Sequence, residues 1–192
     1  MLEKRGITKP QMVVQICVCI WIIAANFIVN MLDLPEHGIH FANWCFFMIN
    51  IIFFLSGEPD MKKRFVHTLV GSLVGIVLAG LTTLGLALLW TEQGMGGKMS
   101  YLPSLMIPLS ICLILLIVFH PIFPAVFNNC GFVYYLTSLT VMGAMPWGGN
   151  ALSNVPSYLI CTILGHFIVN GVSLLIIGAV QKHYVNKAKA AA

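Results

Sequence analysis

Charge is what this chain has least of. Asp, Glu, Lys and Arg make up 8% of its 192 residues, against 59% hydrophobic residues and a mean hydropathy of +0.93. A water-soluble domain carries about 25% charged residues. So few charges do not cover a water-facing surface, which excludes an ordinary soluble domain and marks an integral membrane protein. Acidic residues are scarcer than basic ones, giving a net charge of +4. The bases do not form one face, so no nucleic-acid partner is expected; they sit at the ends of apolar blocks, where topology determinants belong. Also missing are a Walker loop, a dinucleotide fingerprint and any clustered Ser, His and acid set. The chain is therefore not expected to be an enzyme or to carry a cofactor. Its cysteines, Cys17, Cys19, Cys45, Cys112, Cys130 and Cys161, all lie inside apolar blocks. Cys17 and Cys19 stand two apart and face different sides of a helix, which suits neither a redox pair nor zinc. They read as small hydrophobes, and no metal is expected.

What is present is a series of long apolar runs. A spanning helix needs about 20 mostly apolar residues. Six runs qualify, at about 12–32, 39–55, 65–90, 102–119, 124–145 and 157–180. The N-terminal stretch MLEKRGITKPQMVV is like a signal-peptide n-region. The block after it is too long for an h-region and lacks a small-residue cleavage site, so it reads as a retained first span. Lys4, Arg5, Lys9, Lys62, Lys63, Arg64, Lys182, Lys187 and Lys189 fall on one side of a six-span arrangement, with only Lys98 on the other. The positive-inside rule makes that side, and both termini, cytoplasmic.

The two halves echo one another. Pro35, Phe41, Asn43, Phe46 and Gly57 recur at a constant offset as Pro121, Phe127, Asn129, Phe132 and Gly143. Thr68-Leu69-Val70-Gly71 recurs at a slightly longer offset as Thr162-Ile163-Leu164-Gly165. Three spans per half make the copies enter the membrane in opposite directions. The expected fold is all-α: a single membrane domain of six transmembrane helices as an inverted 3+3 repeat. Residues 1–90 form the first copy, 91–182 the second and 183–192 a polar tail. Inverted repeats place solute sites near the midplane between copies, often at broken helices.

Candidate site residues follow from that symmetry. Pro35 and Pro121 stand where spans 2 and 5 begin, and the run Phe119-His120-Pro121-Ile122-Phe123-Pro124 cannot be regular helix throughout. Broken backbone at membrane depth is tolerated where it lines a cavity or is buried in protein. Asn43 and Asn129 lie about two turns further in, with Phe46 and Phe132 narrowing the same region. Asn26 and Asn30 share one face of span 1, Asn50 shares a face with Asn43, and His166 and Asn170 share one face of span 6. His67, His120 and His166 are the titratable groups in or near the spans, and a carboxylate relay is absent. The amides either line a wet path or join helices by hydrogen bonds. Gly71, Gly75 and Ala79 form a small-residue ridge for close helix approach, within the chain or between copies.

From Trp44-Cys45-Phe46-Phe47 through the glycines of span 3, and again from Phe119 to span 6, the chain resembles small bacterial inner-membrane proteins of the YcdZ type. Those in turn look distantly like the membrane half of fusaric-acid-resistance-type exporters of aromatic acids. The resemblance implies a small transport-type fold in the bacterial cytoplasmic membrane. This chain departs from the pattern by its abundant asparagine and histidine.

The expected function is a channel or facilitator for a small polar solute, neutral or weakly anionic, along Asn43, Asn129, Asn26, Asn30, His166 and Asn170. Six short spans enclose little volume, so a homo-oligomer in the lipid bilayer is expected. Two other readings compete: a proton-coupled exporter of small organic acids working through His166 or His120, and a non-transporting membrane scaffold.

Overall fold

The computed structural model describes residues 8–31, 43–89, 101–141 and 155–190. All regular structure among them is helical: α1 (Lys9–Met31), α2 (Asn43–Leu55), α3 (Met61–Leu89), α4 (Tyr101–Phe119), α5 (Asn129–Val141), α6 (Val155–Gly165) and α7 (Gly171–Ala190). A π-helical turn, His166–Asn170, joins α6 to α7 without a break. Among the described residues two helices, Met61–Leu89 and Val155–Lys187, are long and apolar enough to cross a membrane by length and composition. Lys9–Ala25 and Ser104–Phe119 are shorter apolar helices. Large apolar side chains point outward, among them Ile23, Phe27, Leu88, Ile117 and Leu175.

The connection between α2 and α3 shows how local chemistry sets the helix ends. Gly57 takes φ +69°, a left-handed conformation that turns the chain directly after α2. The Arg64 guanidinium reaches back to donate to the Glu58 carbonyl, through Nε at 2.6 Å and through Nη2, and lies 5.8 Å from the Phe53 ring centroid. Asp60 caps α3 by accepting the Lys62 N–H at 2.9 Å and the Lys63 N–H at 3.4 Å. This cap starts the helix at Met61, ahead of the apolar run that begins at residue 65.

The same two N–H groups hold the Asp60 carboxyl below its ordinary pKa, the Lys62 bond foremost, with the Lys63 and Lys62 charges adding to them. A carboxyl depressed by folding contributes stability above its unfolded pKa, and that contribution fades as pH falls through the folded value. Thermal midpoints in detergent are therefore expected to fall in the acid range for the wild type. An Asp60→Asn variant, whose amide oxygen still caps, should lose this component of the acid dependence. Parallel profiles for the two proteins would contradict the assignment.

Packing is organised around α3. It runs parallel to α5, with Thr68 facing Cys130, Gly71 facing Gly131, and Gly75 facing Tyr134 and Tyr135. The Gly71–Gly75 ridge serves this contact inside the chain. A Cβ on Gly75 would stand 2.4 Å from the Gly131 carbonyl oxygen, and one on Gly131 would stand 2.9 Å from the Gly71 carbonyl oxygen. Further along, the Thr82 and Tyr135 hydroxyls meet at 2.9 Å. The helix α4 flanks α3 in the opposite direction, with Gly85 against Pro108 and Cys112 against the Leu78 carbonyl. On the other side α2 and α6 run parallel, with Trp44 beside Tyr158 and Phe53 beside His166. Tyr134 crosses between the two groups and donates to the Cys45 carbonyl at 3.0 Å.

The fifth helix begins at Asn129, five residues beyond the expected Pro124. The run from Phe119 folds as consecutive turns, with His120 Nδ1 2.6 Å from the Phe127 carbonyl oxygen. Asn128 supplies the cap: its Oδ1 accepts the Gly131 N–H at 3.0 Å, and its Nδ2 donates to the His67 carbonyl at 2.8 Å. The backbone from His120 through Pro121 and Pro124 to Asn128 is non-helical, and Pro35 lies outside the described residues.

Candidate functional site: a buried amide and imidazole cluster

A buried polar cluster lies where the last long helix departs from α geometry. A π turn inserts one residue and loosens the regular ladder, and such turns recur at functional positions. Here the Gly171 N–H is shared between the His166 and Ile168 carbonyls. The Val169 carbonyl accepts Trp21 Nε1 from α1 at 3.1 Å and Ser173 Oγ at 2.7 Å. The turn is thereby clamped from outside by a tryptophan and from within by a serine.

The widened turn presents His166 and Asn170 toward α2. Asn50 Nδ2 donates to Asn170 Oδ1 at 2.9 Å, and Asn170 Nδ2 lies 3.0 Å from His166 Nδ1 and 3.4 Å from the Ile49 carbonyl oxygen. His166 and Asn170 are 0% exposed and Asn50 2%. The other imidazole nitrogen, Nε2, is buried and completes no hydrogen bond. Rings enclose it: Phe65 of α3 sits 3.9 Å from the imidazole centroid, with Phe53 and Phe167 at 6.3 and 6.1 Å. One turn earlier on α6, the buried Thr162 hydroxyl lies beside Cys45 and Tyr134 and also completes no hydrogen bond of good geometry. Buried polar groups are normally hydrogen-bonded with good geometry, so two imperfectly bonded ones on a single helix face mark this region.

A second feature, a mainly apolar cavity with a few polar side chains at its wall, lies at the turn before α5. A half-open cavity of about 160 Å³ is lined by Leu116, Ile117, His120, Asn128, Asn129 and Phe132. Asn129 and His120 are exposed there, and Phe132 is partly exposed.

Of the residues singled out from the sequence, the structure brings His166 and Asn170 together in the buried cluster, and His120, Asn129 and Phe132 together at the cavity. The side chains of Asn26, Asn30, Asn43 and Phe46 lie outside the described residues. Asn50 emerges as the cross-helix partner of Asn170. Its place on the Asn43 face was visible in the sequence, but its pairing depends on the tertiary contact of α2 with the π turn. Asn128 was hidden beside the more conspicuous Asn129; an asparagine immediately before a helix is a cap signal that fits it. Ser72, the echo of His166, donates to the Thr68 carbonyl of its own helix at 2.6 Å, which leaves α3 free to lie close on α5. Among the described residues no group of His, Cys, Asp and Glu is arranged to hold a metal ion. Comparison with family models, with curated proteins and with solved structures gives no match.

Proposed function

We propose that this chain is a six-span membrane protein that passes a small polar solute, neutral or weakly anionic, and that the cluster Asn50, Asn170 and His166 is the polar step of its path. The carrying observation is the cluster itself: two fully buried polar side chains on a π turn of an apolar helix and a buried amide opposite them on α2, with one imidazole nitrogen that completes no hydrogen bond of good geometry. Polar and ionisable groups at membrane depth are expensive and mark solute or ion pathways by default. The aromatic rings around His166 close the step on the side of Phe65.

The pairing of helices supports an inverted repeat. The contact of α3 with α5 and that of α6 with α2 are both parallel, α4 flanks α3, and α1 flanks the α6–α7 helix. A two-fold axis in the membrane plane exchanges these pairs. The echoed threonines behave alike: Thr68 meets Cys130 of α5, and Thr162 meets Cys45 of α2. On this reading α3, α4 and α5 form one body, and α1, α2 and the last helix the other.

The test is solute flux in proteoliposomes. Glycerol, urea and formate are offered singly, and swelling is followed by light scattering. Flux of at least one solute above protein-free vesicles is expected, with no requirement for a pH gradient. Flux that appears only with an imposed pH gradient and vanishes in His166→Leu assigns the protein to coupled export instead. Background rates for every solute tried would overturn transport and favour a scaffold.

A further inference from the structure

The orientation of the Asn170 amide determines which hydrogen His166 carries. One end of that amide faces a main-chain carbonyl, Ile49 O, at 3.4 Å. A carbonyl oxygen only accepts, so the amide must turn its NH2 toward it. The same NH2 faces His166 Nδ1 at 3.0 Å. Nδ1 is therefore the acceptor of that bond, and in the neutral ring the hydrogen resides on Nε2. The opposite end of the amide, Oδ1, takes the Asn50 NH2 at 2.9 Å, which closes the chain consistently: Asn50 donates to Asn170, and Asn170 donates to His166. The last member of this relay, Nε2–H, is buried and completes no hydrogen bond of good geometry. The Phe65 main chain of α3 approaches the ring as a weak partner that an incoming oxygen would replace.

We propose that His166 is a fixed hydrogen-bond donor, set in that role by Asn170 as a positioning residue, and that the site takes ligands through an acceptor oxygen: a hydroxyl, carbonyl or carboxylate. This rests on the reading of the cluster as a polar step and narrows its solute class. A donor-only cation finds no partner at Nε2–H, because that nitrogen has no lone pair to offer. The Asn170 amide is already committed to Asn50, His166 and Ile49, so on the imidazole Nε2–H is the donor that faces an incoming oxygen. The nearest barrier is the Phe65 ring, which belongs to α3 and so to the other of the two bodies; a ligand reaches the donor when that ring withdraws.

The experiment is nitrogen-15 solid-state spectroscopy of the full chain in lipid nanodiscs with labelled glycine and histidine. Gly165–His166 is the one Gly-His pair in the sequence, so the His166 ring is assigned without a substitution. The expected spectrum has a protonated Nε2 and an unprotonated Nδ1. Formate and glycerol should each shift the Nε2 resonance, and methylammonium should not. In Asn170→Asp, where an acceptor replaces the donor, the hydrogen should move to Nδ1. A protonated Nδ1 in the wild type, or a shift with methylammonium equal to that with formate, overturns the proposal whether or not the variant folds. Shifts with formate in a protein that shows no flux would sustain the site and refute transport; flux without any shift would do the reverse.

Discussion

Gly75→Ala is expected to prevent the protein from reaching its native fold, while Gly178→Ala leaves it intact. The added methyl at position 75 meets the Gly131 carbonyl oxygen at 2.4 Å, the Tyr135 amide nitrogen at 2.8 Å and Tyr134 Cβ at 2.8 Å. Two of those atoms are main chain, so no rotamer change relieves the clash and α3 must separate from α5. Overpacking costs about 1–3 kcal/mol where side chains can yield; here the cost lies at or beyond the top of that range. Total stabilities are about 5–15 kcal/mol, so the loss is a large share. Separation also pulls apart the Thr82–Tyr135 and Asn128–His67 contacts. Gly178 has nothing within 4 Å of its hypothetical Cβ, and alanine there gains about 0.5–1 kcal/mol of helix propensity. Denaturant unfolding in detergent, with yield of monodisperse protein as the second readout, separates the two. Equal behaviour of the variants would refute the backbone contact.

Asn170→Leu is expected to be the most damaging change in the polar cluster. It removes the bonds to Asn50, His166 and Ile49 together and strands two buried partners. Interhelical hydrogen bonds in membranes average only about 0.6 kcal/mol in double-mutant cycles, but each stranded group adds about 1–3 kcal/mol. With two stranded groups, a loss of about 2–6 kcal/mol follows. Asn50→Leu strands only the Asn170 oxygen and should cost less. The double variant Asn50→Leu with Asn170→Leu should cost less than the sum of the singles, because the second change removes a partner already stranded. Strict additivity, measured as unfolding free energies of the four proteins, would show that the two amides do not interact.

The readability of this chain divides along physical lines. Apolar length alone locates α1, α3 and α4 within a few residues, because a long apolar run has few alternatives to helix in hydrocarbon. Two ends moved for reasons of hydrogen bonding rather than hydropathy: Asp60 draws the start of α3 forward, and the turns held by His120 and Asn128 delay α5. The small-residue ridge was legible as a close contact, but its partner was not, since Gly131 and Asn128 come from a distant helix. His166 and Asn170 share a face at any helical spacing. The π turn that aims them at Asn50, and the Phe65 ring that covers the imidazole, arise from packing across α2, α3 and α6 and leave no local mark in the sequence.

Passage of a polar solute across the bilayer by way of the proposed Asn50, Asn170 and His166 path is tested most directly by stopped-flow swelling of proteoliposomes with formate and with glycerol. Wild type is compared with His166→Leu and Asn50→Leu proteins whose helicity and unfolding confirm a native fold. Flux of at least one of the two above protein-free vesicles in the wild type, reduced about tenfold or more in both variants, is the expected result. Wild-type flux that persists unchanged when these buried side chains are replaced by leucine would contradict it.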